Sequence, residues 1–299
     1  MTERRACAVF AVAGMMCGLS AVAQTPAQIP DEIEVSRVAA GLRYPSGLAW
    51  SHDGFLVIAD GVKREIYRLD SDQRAKPTHQ DTNGAQGLAY DTQARLYICE
   101  AETRRIVRLD KRGKFETVAE SFEGKKLNSP NDVTVRRDGN VYFTDPAFAG
   151  AIDRRELSFN GVFHIGPKGE IEALARWQTR PDGLALSADG RKLFVADADR
   201  HAVVEFDLDA KGAAGNQRDV ITGIQGVPAG LRTDTAGHIF VSAQGLAVYT
   251  PGGKLLRTFL DTQRVVNCTF GGQDLESLFV ATPKDVYRLR IGVKGALQY

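Results

Sequence analysis

The stretch RPDGLALSADGRKLFVAD, residues 180–197, holds a polar start, a short apolar strand, an Asp-Gly turn and a second apolar strand. The same order recurs in YPSGLAWSHDGFLVIAD from Tyr44, AQGLAYDTQARLYICE from Ala85 and SPNDVTVRRDGNVYFTD from Ser129. It returns twice more, in VPAGLRTDTAGHIFVSA from Val227 and VVNCTFGGQDLESLFVAT from Val265. Taking Ser46, Gln86, Asn131, Asp182, Ala229 and Asn267 as equivalent positions, the intervals are 40, 45, 51, 47 and 38 residues. A period of roughly 40–50 residues with several strands per unit is the signature of propeller blades. Six units predict an all-β, six-bladed β-propeller.

Turn chemistry supports strands. Asp53-Gly54, Asp138-Gly139, Asp189-Gly190 and Ala236-Gly237 supply the residues that tight hairpins need, whereas Gln93-Ala94 and Asp274-Leu275 lack the glycine. Third strands follow at Glu65–Leu69, Arg105–Leu109, Val203–Asp207 and Val286–Leu289, with apolar and polar residues alternating. Glu34–Val38 precedes the first unit, and the last unit has few residues left after Tyr287. The N-terminal strand is therefore expected to complete the sixth blade.

Arg4 and Arg5 precede an apolar run from Ala6 to Ala23 that ends Ala21-Val22-Ala23, the pattern of a cleaved secretory leader. Gly14, Gly18 and Ser20 interrupt the run, which speaks against a membrane anchor. Cys17 as a lipid attachment point is disfavoured by Gly14. The expected organisation is a signal peptide at 1–23 and one propeller domain at 24–299, exported to the periplasm or secreted, with no membrane span after cleavage. Losing Glu3, Arg4 and Arg5 takes the formal charge from +1 to 0, and no basic stripe suggests nucleic acid. Cys99 and Cys268 fall in non-adjacent blades and are expected to be free, buried thiols.

In a propeller the start of each first strand and the end of each second strand share one face. The six equivalent positions thus form an inner ring around the axis. Asp60, Glu100, Asp145, Asp197, Ala243 and Thr282 form an outer ring. Carboxylates at strand ends commonly cap turn N–H groups or pair with neighbours such as Arg104 and Arg105, and that is the expectation for the outer ring. Five of the six inner positions are polar in an enclosed channel. Converging oxygens of Asp182, Asn131, Gln86 and Asn267 would suit Ca²⁺ or a similar cation, and a column of ordered water would satisfy them equally. There is no G-x-S-x-G, H-E-x-x-H, P-loop or dinucleotide fingerprint. Of the histidines only His201, in the loop after Asp197, is placed to reach this face.

The runs Asn128-Ser129-Pro130-Asn131-Asp132-Val133 and Tyr142-Phe143-Thr144-Asp145-Pro146 resemble the gluconolactonase/SMP-30 (regucalcin-like) family. Pro181-Asp182-Gly183-Leu184-Ala185, Leu193-Phe194-Val195-Ala196-Asp197 and Asn267-Cys268-Thr269-Phe270-Gly271-Gly272 extend the resemblance across all six units. It implies a propeller that opens lactones or related sugar-acid esters at an axial divalent cation, held by a Glu, two Asn and an Asp. Carried over by position, Asn131 matches one asparagine, Asp182 stands at the second, Ser46 replaces the glutamate and Ala229 the aspartate. The implied metal ligands are therefore Asn131, Asp182 and Ser46, with Ca²⁺ the expected ion. Asp182 becomes the proton-transfer residue, and Gln86, Asn267, Glu100 and His201 the candidates for holding substrate. The alternative is a non-catalytic propeller that binds a sugar-like ligand or a protein partner on the same face.

Overall fold

The computed structural model describes residues 28–70, 74–148 and 150–299. The leader expected at 1–23 lies outside them. The described chain is almost entirely strand. After β1 (Glu34–Ala39) come blade one, β2 (Pro45–Trp50), β3 (Leu56–Asp60), β4 (Glu65–Leu69) and β5 (Ala75–Gln80), and blade two, β6 (Ala85–Tyr90), β7 (Leu96–Glu100), β8 (Arg105–Leu109) and β9 (Phe115–Ala119). A small hairpin, β10 (Ser121–Phe122) and β11 (Lys125–Lys126), leads to blade three: β12 (Val133–Val135), β13 (Val141–Asp145), β14 (Asn160–Ile165) and β15 (Ile171–Trp177). Blade four is β16 (Pro181–Leu186), β17 (Lys192–Asp197), β18 (Ala202–Leu208) and β19 (Ala214–Ile221). Blade five is β20 (Leu231–Thr233), β21 (Ile239–Tyr249) and β22 (Leu255–Arg264), and blade six holds β23 (Asn267–Gly271), β24 (Ser277–Ala281) and β25 (Val286–Arg290). β21 pairs with β20 through Ile239–Val241 and with β22 through its second half, with Gly245 at φ +80° between, so it fills two strand positions at once.

Ring closure is as expected. The order in blade six is β1-β25-β24-β23, and β1 runs antiparallel to β25 from Glu34↔Arg290 to Arg37↔Tyr287. The second strands are buried on both faces, as in LVIAD of β3, LYICE of β7 and VYFTD of β13. Sandwiching between neighbours explains their continuous apolar character. Six apolar clusters carry the ring, each formed by two consecutive blades; Ala59, Ile66, Leu88 and Ile98 join blades one and two, while Leu48, Ile58, Phe279 and Val286 join six and one. Cys99 and Cys268 are free and fully buried. Among the described residues no helix is long and apolar enough to cross a membrane.

Gly54, Gly139, Gly190 and Gly237 adopt φ between +68° and +90°, as their turns require. A different demand acts at the axis. A Cβ on Gly47 would lie 2.0 Å from the Gln86 carbonyl oxygen, and one on Gly183 would lie 2.3 Å from that of Ala229. Inner strands of adjacent blades approach too closely for any side chain there.

The far end of the channel is stopped by the chain itself. Beyond β25 the backbone crosses under the ring: Lys294 O accepts from Thr235 N (2.8 Å), Gly295 N donates to Leu275 O (3.0 Å) and Ala296 N donates to Thr233 O (3.0 Å). Leu297 O accepts from Arg137 and the Gln298 amide donates to Ser187 O. The Tyr299 hydroxyl donates to Trp50 O, and its ring stacks on His52 with centroids 4.1 Å apart and meets Tyr90 edge-on. The tail thereby touches every blade of the ring.

Candidate active site

The inner ring sits where the first strands begin, at the face opposite that tail. Ser46, Gln86, Asn131 and Asp182 remain partly open to solvent, whereas Ala229 and Asn267 are buried. Among the described residues, neither the Asn131 amide nor the Asp182 carboxylate has a hydrogen-bond partner in the protein; only their backbones are engaged, as where Asp182 O accepts from Thr144 Oγ1 at 2.6 Å. Two adjacent blades therefore present an amide and a carboxylate with free oxygens to the mouth of the channel. Although Asp182 keeps some solvent contact, protein encloses it elsewhere, and burial pushes its carboxyl up to about 7. The charge of Asp132 adds to that rise, while Arg264 and Arg180 oppose it.

The other expected site residues are placed differently. Ser46 Oγ makes a long contact to Ala85 O (3.4 Å) at the same rim. The Gln86 side chain lies over Gly61, where a Cβ would fall 2.5 Å from its Nε2, so it leans toward the turn after β3. Asn267 joins blade six to blade one: its Nδ2 donates to Ser46 O (2.7 Å), and its Oδ1 accepts from Cys268 N (2.8 Å). That amide holds the ring together. Glu100 accepts from Asn83, Thr103 and Arg105 within blade two, leaving its buried carboxylate committed to the turn. His201, at φ +52°, is half-buried; its Nδ1 meets Ile224 O at 3.2 Å and its carbonyl accepts from Ile224 N.

The outer ring behaves as turn caps. Asp60 accepts from the backbone N–H groups of Arg43, Tyr44 and Lys63, Asp145 from Asn128 and Ser129, and Asp197 from Thr179 Oγ1 and Arg200 N. Burial disfavours the thiolate at both cysteines, holding Cys99 well above its ordinary range and pushing Cys268 up to about 11.

Two charged neighbours of the ring escape the sequence reading. Asp132, buried beside Asn131, accepts from Val133 N (3.0 Å) and Leu184 N (3.3 Å) and faces Arg232 at 3.9 Å. Burial raises the Asp132 carboxyl, and Arg232 and the two N–H groups counter that. Arg232 donates to Leu231 O and Leu48 O and lines a cavity of about 60 Å³ whose walls include Ala49, Ala89, Thr134, Ala185 and the tail. The signal was available in the sequence. Gly-Leu-Ala occurs in three units at this level, and the fifth reads Gly-Leu-Arg.

Residues 56–284 match the family model described as the SMP-30/gluconolactonase/LRE-like region. The chain belongs to the SMP-30/gluconolactonase family. It is 30% identical to a gluconolactonase of Zymomonas mobilis over 86% of this chain and 81% of that protein. A pentonolactonase of Haloferax volcanii is 24% identical, over 74% of this chain and 78% of its own. Among solved structures, a gluconolactonase from Xanthomonas campestris superimposes with a TM-score of 0.80 at 28% identity, covering 89% of this chain and 95% of its own.

Within this SMP-30/gluconolactonase ring the oxygen donors fit a hard cation in kind but are few. Asp182 and Asn131 have free oxygens and Ser46 a lightly held hydroxyl, while Ala229 offers a buried methyl. Among the described residues no three His, Cys, Asp or Glu side chains converge to hold a metal. Any cation here leans on a single carboxylate.

Proposed function

We propose that this protein is an exported hydrolase that opens lactones or related sugar-acid esters at the mouth of its axial channel, with Asp182 as the proton-transfer group. The observation that carries the reading is the unpartnered Asp182 carboxylate beside the unpartnered Asn131 amide, in a chain 30% identical to a gluconolactonase over most of its length. Asp182 takes a proton from the attacking water as that water's oxygen bonds to the lactone carbonyl. It returns the proton to the ring oxygen as the ring C–O bond breaks, leaving a hydroxy acid. A carboxyl held at about 7 is suited to both halves of that exchange. Asn131 holds substrate oxygen. Asp182, Asn131 and Ser46 would hold a divalent cation such as Ca²⁺, whose chemistry there is to polarise the carbonyl. The leader pattern at residues 1–23 supports export.

The test is turnover of aldonolactones across pH by wild type and Asp182→Asn, each with chelator and with Ca²⁺ or Mg²⁺ restored. As a base Asp182 acts when ionised, so activity in chelator is expected to climb with pH through about 7 and then level off, and a restored cation, which favours the ionised carboxylate, should move that climb to lower pH. Asp182→Asn is expected to lose roughly 10²–10⁴-fold in kcat/KM. An Asp182→Asn enzyme with wild-type rates would refute the assignment. A wild type inert toward every lactone would leave a propeller that only binds.

A further inference from the structure

We infer that Arg264 is a specificity residue of this mouth, and that the preferred lactone carries a negative charge, a carboxylate or a phosphate, outside the ring being opened. The inference rests on the lactone-hydrolase reading and adds the substrate class to it. Arg264 ends β22 on the same face as the inner ring, in backbone register with Gln244 and three residues before Asn267. Its guanidinium makes one hydrogen bond, from Nη1 to Val227 O at 3.3 Å. Among the described residues no carboxylate lies at ion-pair distance from it.

Four other arginines near the mouth are held by acids. Arg180 is clamped by Asp199 through Nε and Nη2 and lies over the Phe148 ring at 5.2 Å. Arg200 pairs with Asp219 and Asp197, Arg104 with Glu156, and Arg64 with Glu102. Arg264 combines partial burial at the ring face with a charge that, among the described residues, no acid meets at ion-pair distance. It also belongs to the blade whose ring position is the methyl of Ala229, so no acid of its own blade competes for it there. A partly buried arginine whose guanidinium keeps most of its five donors free is a fork for a planar carboxylate or a phosphate.

The experiment compares kcat/KM at low salt for a neutral lactone, glucono-1,5-lactone, with two anionic ones, a glucarolactone and 6-phosphoglucono-1,5-lactone. Wild type is expected to favour at least one anionic lactone by about tenfold, with the advantage shrinking as salt is added. Arg264→Gln should cut the anionic-to-neutral ratio by about tenfold, and Arg264→Lys by less. Arg180→Gln, whose charge Asp199 already neutralises, should move the ratio less than Arg264→Gln. The carboxylate and phosphate arms identify which anion is taken. A ratio untouched by Arg264→Gln, or a wild type that prefers the neutral lactone, overturns the inference while leaving the hydrolase reading intact. If wild type opens no lactone, that reading fails on its own, and titration of glucarate and 6-phosphogluconate into wild type and Arg264→Gln decides the anion site: tighter binding by wild type supports it, and equal or absent binding removes it.

Discussion

Ala94 and Leu275 stand at φ +56° and +61° in the two hairpin turns that lack glycine. A side chain in the left-handed region costs about 1–2 kcal/mol, part of which glycine returns through its freedom in the unfolded chain. Ala94→Gly is therefore expected to stabilise the protein by about 0.5 kcal/mol, raising Tm by roughly 1 °C. Thermal unfolding measures this directly, and a lowered Tm would contradict the account. The turn irregularity was legible because four equivalent turns supplied the rule that these two break. The same comparison locates Arg232, yet its consequence was not legible, since pairing with Asp132 on another blade depends on distance across the axis. Asn267 shows the converse. Its type and position suggested a ligand, but the 2.7 Å bond to Ser46 O gives its amide to ring closure, and only the fold could reveal the neighbour.

At the scale of strands, the inner, second and most third strands were readable, as was the closing strand β1, and the other outer strands were not. LVIAD and VYFTD are buried on both faces and announce themselves by composition, whereas β19 (AGNQRDVI) is mostly exposed and carries neither alternation nor an apolar run. An outer strand is specified by its neighbour's free edge more than by its own residues. β1 is the outer strand on which the most depends, because it comes from the opposite end of the chain and contributes Val38 and Ala39 to the apolar cluster between blades six and one. A chain beginning at residue 40 exposes the edge of β25. It is expected to aggregate or to melt at least roughly 10 °C lower. Soluble protein with an unchanged melting curve would show that β1 is dispensable.

For the whole molecule, six apolar clusters between six blades make a ring in which no interface is optional, and the repeat spacing alone foretold that number. The stop beneath the ring was not foretold, because residues 293–299 have no repeat partner and act only through contacts with distant turns. Tyr299 anchors it by a hydrogen bond to Trp50 O and by stacking on His52. Tyr299→Ala should cost about 2 kcal/mol and lower Tm by roughly 4 °C. Calorimetry checks the value, and a loss below about 0.5 kcal/mol would mean that the tail merely rests there. With that end stopped, the proposed substrate and product would both pass through the mouth at Asp182.

The pairing of β1 with β25 also sets an order of events during synthesis. Among the described strands the first in the chain joins the last, so its edge has no partner until residues 45–285 have followed it. Until residue 290 is available the molecule is an open arc with two unsatisfied ends, and whatever handles the newborn chain receives it in that form.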